Sequence, residues 1–167
     1  MDDMTGGTGV AYRALACASL MDNLMRQAGS IREGGVFLQP TPGDLRLPHV
    51  AKSDVAAMAA RLLLAPDWQG VAEVPLRGPE DLAFEEMAAT MSEVLGRPVR
   101  HQEMPMERFE EAMRATGASE GMARAYVEML TAKNEGMDTT TRPQGRDDTP
   151  TTFRQWCEAE LRPAIVA

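Results

Sequence analysis

The run TGGTG at residues 5–9 has the glycine spacing of a loop that holds a dinucleotide. Such a loop follows a buried strand, turns tightly under the pyrophosphate and leads into a helix N-terminus that attracts negative charge. Gly6 and Gly9 occupy the first two glycine positions with Thr8 between them, but Tyr12 stands at the third. Four residues, two of them aspartates, precede the run, too few and too polar for the buried strand. We therefore expect a flexible, glycine-rich terminus that keeps a degenerate remnant of a cofactor loop.

Side chains suited to acid–base, nucleophilic or metal chemistry are few and scattered. His49 lies in the sequence LPHVAKSD, where its ring could donate a hydrogen bond to a substrate carbonyl. The alternative is a partly exposed histidine at the end of a strand. Cys17 and Cys157 stand in no nucleophile motif, and His101 is the second of two histidines. Because the cysteines stand in no nucleophile motif, we assign no catalytic residue. Because two histidines give no metal-ligand spacing, we assign no metal site.

Thirteen methionines are an unusual number for a chain of 167 residues. Methionine is flexible and polarisable, so it suits an adaptable pocket for a flat or variable ligand. Plain filling of the core is the alternative explanation. The adjacent glutamates at 85–86 and 110–111 lie on predicted helices, where neighbours point in different directions, and so cannot act jointly on a substrate.

The charge of the chain argues against several kinds of partner. Its formal net charge is −8 and its pI about 4.8, so we expect no direct binding to nucleic acid or to an anionic membrane. The longest apolar stretch, 55–65, is interrupted by Arg61 and is too short to cross a bilayer. Two cysteines make no disulfide framework and the acidic start is unlike a secretory signal, which favours the reducing cytoplasm.

The pattern of apolar residues predicts a single α/β domain with short strands and about five helices. Strands are expected near 36–38, 45–50, 71–76 and 99–104. A loosely apolar side predicts a helical stretch over 13–29, and stronger amphipathic patterns predict helices over 53–65, 81–96, 106–117, 119–136 and 149–161. Residues 137–150 are polar and rich in turn formers, which indicates a long surface loop or a mobile segment.

Capping residues and apolar faces give these helices expected ends and sides. The predicted N-caps are Asp81 and Thr149, and the predicted stops are Pro66, Gly96, Gly117 and Gly136. The helix over 81–96 should bury Phe84, Met87, Ala88, Met91 and Leu95. The helix over 119–136 should turn inward Met122, Tyr126, Met129 and Leu130. Near the C-terminus, Phe153 and Trp156 are expected to anchor the core rather than to clamp a ligand.

Several stretches together resemble the NmrA-like family, atypical members of the short-chain dehydrogenase/reductase superfamily. The segments that carry the resemblance are ASLMDNL (18–24), LPHVAKSDVAAMAARLL (47–63), PLRGPEDLAFEEMAATMSEVLGRPV (75–99), PMERFEEAMRATG (105–117) and DTPTTFRQW (148–156). The most specific part is GPEDLAFEEMA followed by LGRPV, and TPTTFRQW is a second, independent anchor. Their order and spacing match the second half of that family over most of residues 15–161.

The resemblance implies a Rossmann-like NAD(P)-binding domain joined to a smaller substrate domain, of which this chain keeps mainly the second. We divide it accordingly into a remnant N-terminal segment, 1–30, and a substrate-domain region, 31–167. The strands and helices that normally separate the glycine-rich loop from ALACASLMDN are missing, as are the residues that select the ribose or its phosphate. TGGTG is therefore interpreted as a remnant beside a large internal deletion. The implied cofactor is NADP or NAD, and we expect its binding to be weak or lost.

The resemblance also implies where a substrate would bind. In the family, the turn that contains Asn23 lies near the nicotinamide and the substrate cleft, although here an Ala-Cys pair replaces the Arg-Pro that commonly precedes it. A cleft between this turn and the C-terminal helices would be lined by Asn23, His49, Met113 and Met122. Asparagine offers a donor and an acceptor, and methionines give an adaptable wall for a flat ligand. Alternatively, Asn23 is only a helix-capping or turn-forming residue.

Two functions from different classes remain open. The superfamily's usual acid–base pair, a Tyr with a Lys four residues later, is missing. Four residues after Tyr12 stands Ala16, and four residues after Tyr126 stands Leu130. Family members without this pair can still sense dinucleotides or reduce quinones, which favours a protein that acts on or senses a small aromatic or quinone-like molecule. The alternative is a non-catalytic, regulatory module that binds a partner protein through a Met-rich helical surface. A sheet without its family neighbours would have an open edge, so we also expect a homo-oligomer or a bound partner protein, unless residues 1–30 bury that edge.

Overall fold

The computed structural model describes residues 2–65, 67–138 and 148–166 of the chain. The predicted helix stop at Pro66 and the middle of the predicted 137–150 loop lie outside the described residues. Within this part of the chain, strands and helices alternate, as expected for an α/β protein. None of the helices in the described ranges is long and apolar enough to span a membrane.

The described residues form seven short strands in three small sheets. The strands are β1 Tyr12–Cys17, β2 Ser19–Leu20, β3 Val36–Gln39, β4 Leu47–Val50, β5 Val71–Leu76, β6 Asp81–Leu82 and β7 Arg100–Glu103. The pairs β1–β5 and β3–β7 are parallel, while β4 pairs in parallel with β2 and antiparallel with β6. The strands predicted near 36–38, 45–50, 71–76 and 99–104 are therefore confirmed.

One helix precedes the first strand, and the other helices follow strands along the chain. Their bounds are α1 Asp2–Gly6, α2 Ala28–Gly34, α3 Lys52–Leu64, α4 Phe84–Leu95, α5 Met106–Ala115, α6 Glu120–Asn134, α7 Phe153–Trp156 and α8 Arg162–Val166. A 3₁₀ segment at Met21–Gln27 precedes α2, and a π segment at Cys157–Leu161 joins α7 to α8. Gly96 adopts φ 65° directly after α4, which confirms the predicted stop, since only glycine tolerates that region without strain.

The predicted helical stretch over 13–29 is wrong in its first half. Residues 12–17 pair in parallel with β5 along six consecutive positions, and residues 19–20 pair with β4. The segment is rich in alanine, which favours a helix locally, but pairing within the sheet and packing against α3 override that weak preference. Only residues 21–29 of the predicted stretch are helical, and α2 continues beyond it to Gly34.

Two predicted N-caps are also wrong. Helix α4 begins at Phe84 after Ala83, whose backbone N–H donates to the Glu86 carboxylate at 2.9 Å, and Asp81 lies in β6 instead. Helix α7 begins at Phe153 with Thr152 as its cap, because Gln155 completes a capping box there. In α4 the Glu86 carboxylate binds the backbone N–H of the residue before the helix, and in α7 the cap lies three residues after the predicted one.

The main hydrophobic core joins α4 to the 21–37 segment and to the C-terminal helical segment. Phe84, Met87, Ala88 and Met91 are buried, which confirms the predicted face of α4, with Leu95 packed at its margin. Phe153 and Trp156 are buried beside them with their rings stacked at 5.6 Å, so their predicted role as core anchors is confirmed. The 21–37 segment supplies the other wall through Met21, Leu24, Ile31 and Phe37.

The hairpin of α5 and α6 packs outside this core. Among described residues, α5 buries none and α6 buries Ala123. The predicted inward face of α6 is therefore wrong at two positions, since Met122 and Met129 are 52% and 39% exposed. The apolar residues do recur at helical spacing along α6. However, α5 and α6 pack mainly on each other, which leaves part of that apolar face exposed to solvent.

Candidate functional site

The parallel strands β2 and β4 end side by side, and this edge is where an α/β fold places its ligands. The chain leaves β2 into the 3₁₀ segment and leaves β4 into α3. The Asp22 carboxylate joins the two exits, accepting hydrogen bonds from the Lys52 backbone N–H at 3.2 Å and from the Lys52 ammonium at 2.8 Å. Asn23, the next residue, is exposed at this edge, so its amide is open to an incoming molecule.

His49 lies within β4 and is almost fully buried, at 3% exposure. Its ring meets the Phe84 ring edge-on with centroids 5.5 Å apart, and its Nδ1 lies 2.9 Å from the Leu47 carbonyl oxygen. Burial lowers the pKa of His49 to about 4, so the imidazole is neutral near pH 7. Because a carbonyl oxygen only accepts, the ring proton sits on Nδ1 and is already used. This placement favours a packing role over hydrogen-bond donation by Nδ1 to a substrate.

Buried charges lie next to His49, at the end of α6 and after β5. We call Arg77, Lys133 and Asp138 the carboxyl-end cluster. The Lys133 ammonium forms an ion pair with the Asp138 carboxylate, and both side chains are largely buried. Arg77 donates to the Asp138 backbone oxygen. Because buried charges need partners, these contacts fix the end of α6 against the loop that follows β5.

The C-terminal segment is attached to the same region by hydroxyl groups. The Gly78 backbone N–H donates to the buried Thr149 hydroxyl at 2.9 Å. Two residues later, Thr151 donates to the Asp54 carboxylate through its backbone N–H at 2.9 Å and its hydroxyl at 2.6 Å. These bonds hold the segment against the start of α3, and they explain why Asp54 is buried although it carries a carboxylate.

The methionines predicted to line the site lie on α5 and α6. Met122 lies eleven residues before Lys133 on α6, which is about 16 Å along the helix axis. Met113 is half-buried on α5. Met129, by contrast, is one turn from Lys133, and the 47% exposed Met137 is next to Asp138. Sequence reasoning included Met129 only among the methionines of its predicted helix and did not name Met137, although the spacing of Met129 and Lys133 by four on a helix was a signal for the first.

A groove of about 430 Å³ opens between the start of α3 and the C-terminal helical segment. Ser53, Thr151, Gln155, Trp156 and Glu160 are among its lining residues. The indole N–H of Trp156 is buried without a hydrogen-bond partner among the described residues. The groove adjoins the edge that carries Asp22 and Lys52, since Glu160 acts electrostatically on Lys52. Trp156 is therefore a natural fluorescent reporter for this edge.

The glycines of TGGTG do not form a phosphate cradle in this structure. Gly6 is the last residue of α1, and the Gly7 N–H donates back to the Asp3 carbonyl at 3.0 Å. The run thus follows the C-terminal end of a helix, which is the negative end of its dipole, and then leads into β1. The predicted cofactor residues Gly6, Thr8 and Gly9 do not fit a dinucleotide pyrophosphate, which needs a helix N-terminus. The start of the chain is also helical at residues 2–6, where we expected a flexible terminus.

Nucleophilic and metal chemistry find no support in the described residues. Burial raises the pKa of the Cys157 thiol to about 12 and also raises the pKa of Cys17, so both thiols are protonated at neutral pH. No group of three or more His, Cys, Asp or Glu side chains in the described ranges could hold a metal ion. The described residues offer an exposed Asn23, exposed methionines on α6 and the ion pair of Lys133 with Asp138.

No family model matches the sequence, but the chain is similar to curated proteins and to solved structures. The chain is 34% identical over 122 residues to the NAD(P)H azoreductase of Xenophilus azovorans, covering 73% of this chain and 42% of that protein. The chain spans about half the length of the curated relatives it matches.

Solved structures agree on the fold. An NADPH-dependent quinone oxidoreductase of Escherichia coli, solved with NADPH, superposes with a TM-score of 0.73 at 22% identity, covering 92% of this chain and 54% of that one. The triphenylmethane reductase of Citrobacter sp. gives a TM-score of 0.66 at 20% identity, covering 94% and 54%. The chain therefore has the Rossmann-like α/β fold of NAD(P)-binding reductases, and in sequence it is similar to an azoreductase.

Proposed function

We propose that this chain is the substrate-side half of an NmrA-like, NAD(P)-dependent reductase and that it acts on or senses a small aromatic molecule such as a quinone or a dye. The observation that carries the proposal is the 34% identity to an NAD(P)H azoreductase across 122 residues. The fold shared with a quinone oxidoreductase and a dye reductase supports the same class of ligand. Azo dyes, quinones and triphenylmethane dyes are all flat, conjugated and electron-accepting.

The proposal gives this chain the task of binding and orienting the aromatic molecule. Asn23 is the polar contact, because its exposed amide stands at the carboxyl ends of β2 and β4. Met129 and Met137 form the near apolar wall, and Met122 with Met113 extends it for a longer ligand. His49 supports the site as a neutral ring that packs against Phe84. The dinucleotide is not assigned to residues 6–9, since their glycines do not fit its phosphates.

Fluorescence quenching of the two tryptophans tests the proposal directly. Trp156 lines the groove beside Asp22 and Lys52, whereas Trp68 lies beside β1 with the Arg13 guanidinium 4.8 Å from its ring. We expect menadione and methyl red to quench Trp156 in the Trp68→Phe variant and to leave Trp68 in the Trp156→Phe variant nearly unchanged. Calorimetry with the same compounds checks that quenching reports binding. NADPH alone should quench neither tryptophan.

The opposite quenching result would contradict the proposal. If neither compound binds by calorimetry, or if quenching is confined to Trp68, the edge at β2 and β4 is not an aromatic site. The second candidate function, a module that binds a partner protein, is favoured by the exposed Met122 and Met129 on α6. Menadione binding by the unaltered chain separates the two functions, because a partner-binding module binds no menadione, whereas an aromatic site binds it and loses affinity in the double variant Met122→Gln with Met129→Gln.

A further inference from the structure

The groove between the start of α3 and the C-terminal helical segment contains an unused hydrogen-bond donor. Trp156 is only 2% exposed, yet it is one of the residues that line this groove, so a narrow part of it reaches the opening. Its indole N–H makes no hydrogen bond to any residue that the structure describes. A buried N–H without an acceptor costs stability, and nearly all buried donors in folded proteins are paired. The unpaired donor beside a groove indicates a ligand that supplies the acceptor.

The packing of Trp156 fixes the orientation of its ring. One face stacks on the Phe153 ring, with the centroids 5.6 Å apart and 19° between the ring planes. Both side chains belong to the main core. Because the ring cannot turn towards another acceptor without losing this contact, the N–H is held in one direction. A donor fixed in this way binds an acceptor without the entropy cost of ordering a flexible side chain.

The neighbouring groove residues add a second donor and apolar surface. The Gln155 side-chain oxygen accepts from the Thr152 backbone N–H at 2.9 Å and from its hydroxyl at 3.1 Å, which leaves the Gln155 NH₂ group to donate. Thr151 uses its hydroxyl and its backbone N–H on the Asp54 carboxylate, so its methyl group is what remains for a ligand. The apolar part of the lining is completed by Pro150 and Ala159.

The negative charge of the groove is confined to one end. Glu160 is the charged residue among those that line it in the described part of the chain. Its carboxylate acts electrostatically on Lys52, at the end where the groove adjoins the edge of β2 and β4. The donors of Trp156 and Gln155 are therefore the groups left to recognise a ligand by hydrogen bonding.

Two donors beside an apolar wall suit a cyclic ligand that carries a ketone oxygen. Such an oxygen has two lone pairs, so it can accept from the indole N–H of Trp156 and from the NH₂ group of Gln155 together. The volume of about 430 Å³ lies in the range of small-molecule sites, about 300–1,000 Å³.

We propose that this groove is a binding site for a ring ketone and that the Trp156 indole N–H donates to the ketone oxygen. Quinones are ring ketones, and the groove adjoins the β2–β4 edge. The identification of its ligand with the aromatic substrate therefore rests on the proposed function, whereas the ketone site itself does not.

The indole resonance of Trp156 tests this hydrogen bond directly. In the ¹⁵N-labelled Trp68→Phe chain, the remaining indole N–H signal belongs to Trp156. Menadione and tetralone, a ring ketone that is not a quinone, should each move its proton downfield, as a new hydrogen bond does. Methylnaphthalene has the rings and methyl group of menadione without the oxygens, and it should cause no such shift. A proton that neither ketone moves, or that the hydrocarbon moves equally, would overturn the inference.

Substitutions at the groove provide a second test by calorimetry. Trp156→Phe keeps an aromatic ring and removes the N–H, so it should weaken menadione binding about fivefold. Ala159→Leu fills the groove from an exposed position and should abolish the tetralone shift. Glu158→Leu is the matched control, because it adds the same side chain at the next position, which does not line the groove. Unchanged tetralone and menadione binding in Ala159→Leu would contradict the ketone site, even if Trp156→Phe fails to fold.

These measurements separate the ketone site from the proposed function. If tetralone shifts the indole proton in a chain that shows no menadione binding by calorimetry, the proposed function fails and the ketone site is supported. If menadione binds by calorimetry but the indole proton does not move, the ketone site fails and the proposed function is retained.

Discussion

Gly78 lies directly against the backbone oxygen of His49. A Cβ atom added to Gly78 would stand 1.8 Å from that oxygen, and Gly78 adopts φ 73°. The loop after β5 can therefore lie on β4 only because this residue has no side chain. The same contact sets the position of Arg77 and of the Gly78 bond to Thr149, and thus of the carboxyl-end cluster.

Replacing Gly78 with alanine should destabilise the fold strongly. The clash is with backbone, which cannot rotate away, and the positive φ adds strain of its own. We expect the free energy of unfolding to fall by about 2–4 kcal/mol in urea denaturation. Gly96→Ala is the matched control, because Gly96 has φ 65° but open space around it, and should cost about 1 kcal/mol. Equal losses in the two variants would show that the approach to His49 is looser than the geometry indicates.

Most of the fold could be predicted from the sequence, and the main error has a clear cause. The amphipathic face of α4 and the stop at Gly96 depend on local patterns, so they were predictable. Strand β1 was mistaken for a helix because its stabilising partner, β5, lies about sixty residues away along the chain. Local propensity carries no information about such a partner.

The candidate site was predictable in its parts but not in its assembly. The position of Asn23 after a strand could be inferred from family resemblance, and the structure places it exposed beside Asp22. The burial of His49 depends on Phe84 from another element, and the exposure of Met122 depends on how α6 packs against α5. Those relations are set by packing between distant segments, which composition and spacing do not encode.

The buried His49 should make stability depend on pH in the mildly acidic range. Its pKa is about 4 in the folded protein and near 6.5 in an unfolded chain, so between these values the unfolded state binds more protons. Stability should then fall as pH is lowered from 7.5, by about 2 kcal/mol at pH 5. Urea denaturation at both pH values should show this loss reduced in His49→Gln. His101→Gln is the comparison, since burial also lowers the pKa of His101. A pH dependence that His49→Gln leaves unchanged would contradict the assignment.

Asn23 and Gln27 lie in the same 3₁₀ segment and should respond in opposite ways. Gln27 donates to the Leu38 carbonyl at 2.9 Å and accepts from the Leu38 N–H at 2.8 Å, whereas Asn23 is exposed. Asn23→Ala should weaken menadione binding several-fold, about 1 kcal/mol, with the melting temperature nearly unchanged. Gln27→Ala should lower the melting temperature and keep the affinity. The reverse result for Asn23, measured by calorimetry and thermal denaturation, would make it a turn residue.

The two cysteines should differ sharply in reactivity. Cys17 is exposed, while Cys157 is fully buried in the main core and its pKa is raised to about 12. Iodoacetamide at pH 8 should therefore label one thiol per folded chain and both in denaturant. Mass spectrometry of the digested protein identifies the site. Labelling of Cys157 under native conditions at a rate close to that of Cys17 would show that the C-terminal helical segment opens readily.

The main core brings the 21–37 segment against Phe153, Leu161 and Ile165, which lie more than a hundred residues further along the chain. During synthesis, a nascent chain therefore has to hold Met21, Ile31 and Phe37 without their final neighbours until the last helices leave the ribosome. Closing so large a loop is slow, because its entropy is lost before the contacts reward it. Refolding should accordingly be slower than in a helical bundle of this size. A chaperone would bind the 21–37 segment, whose apolar side chains are exposed until their final neighbours are present.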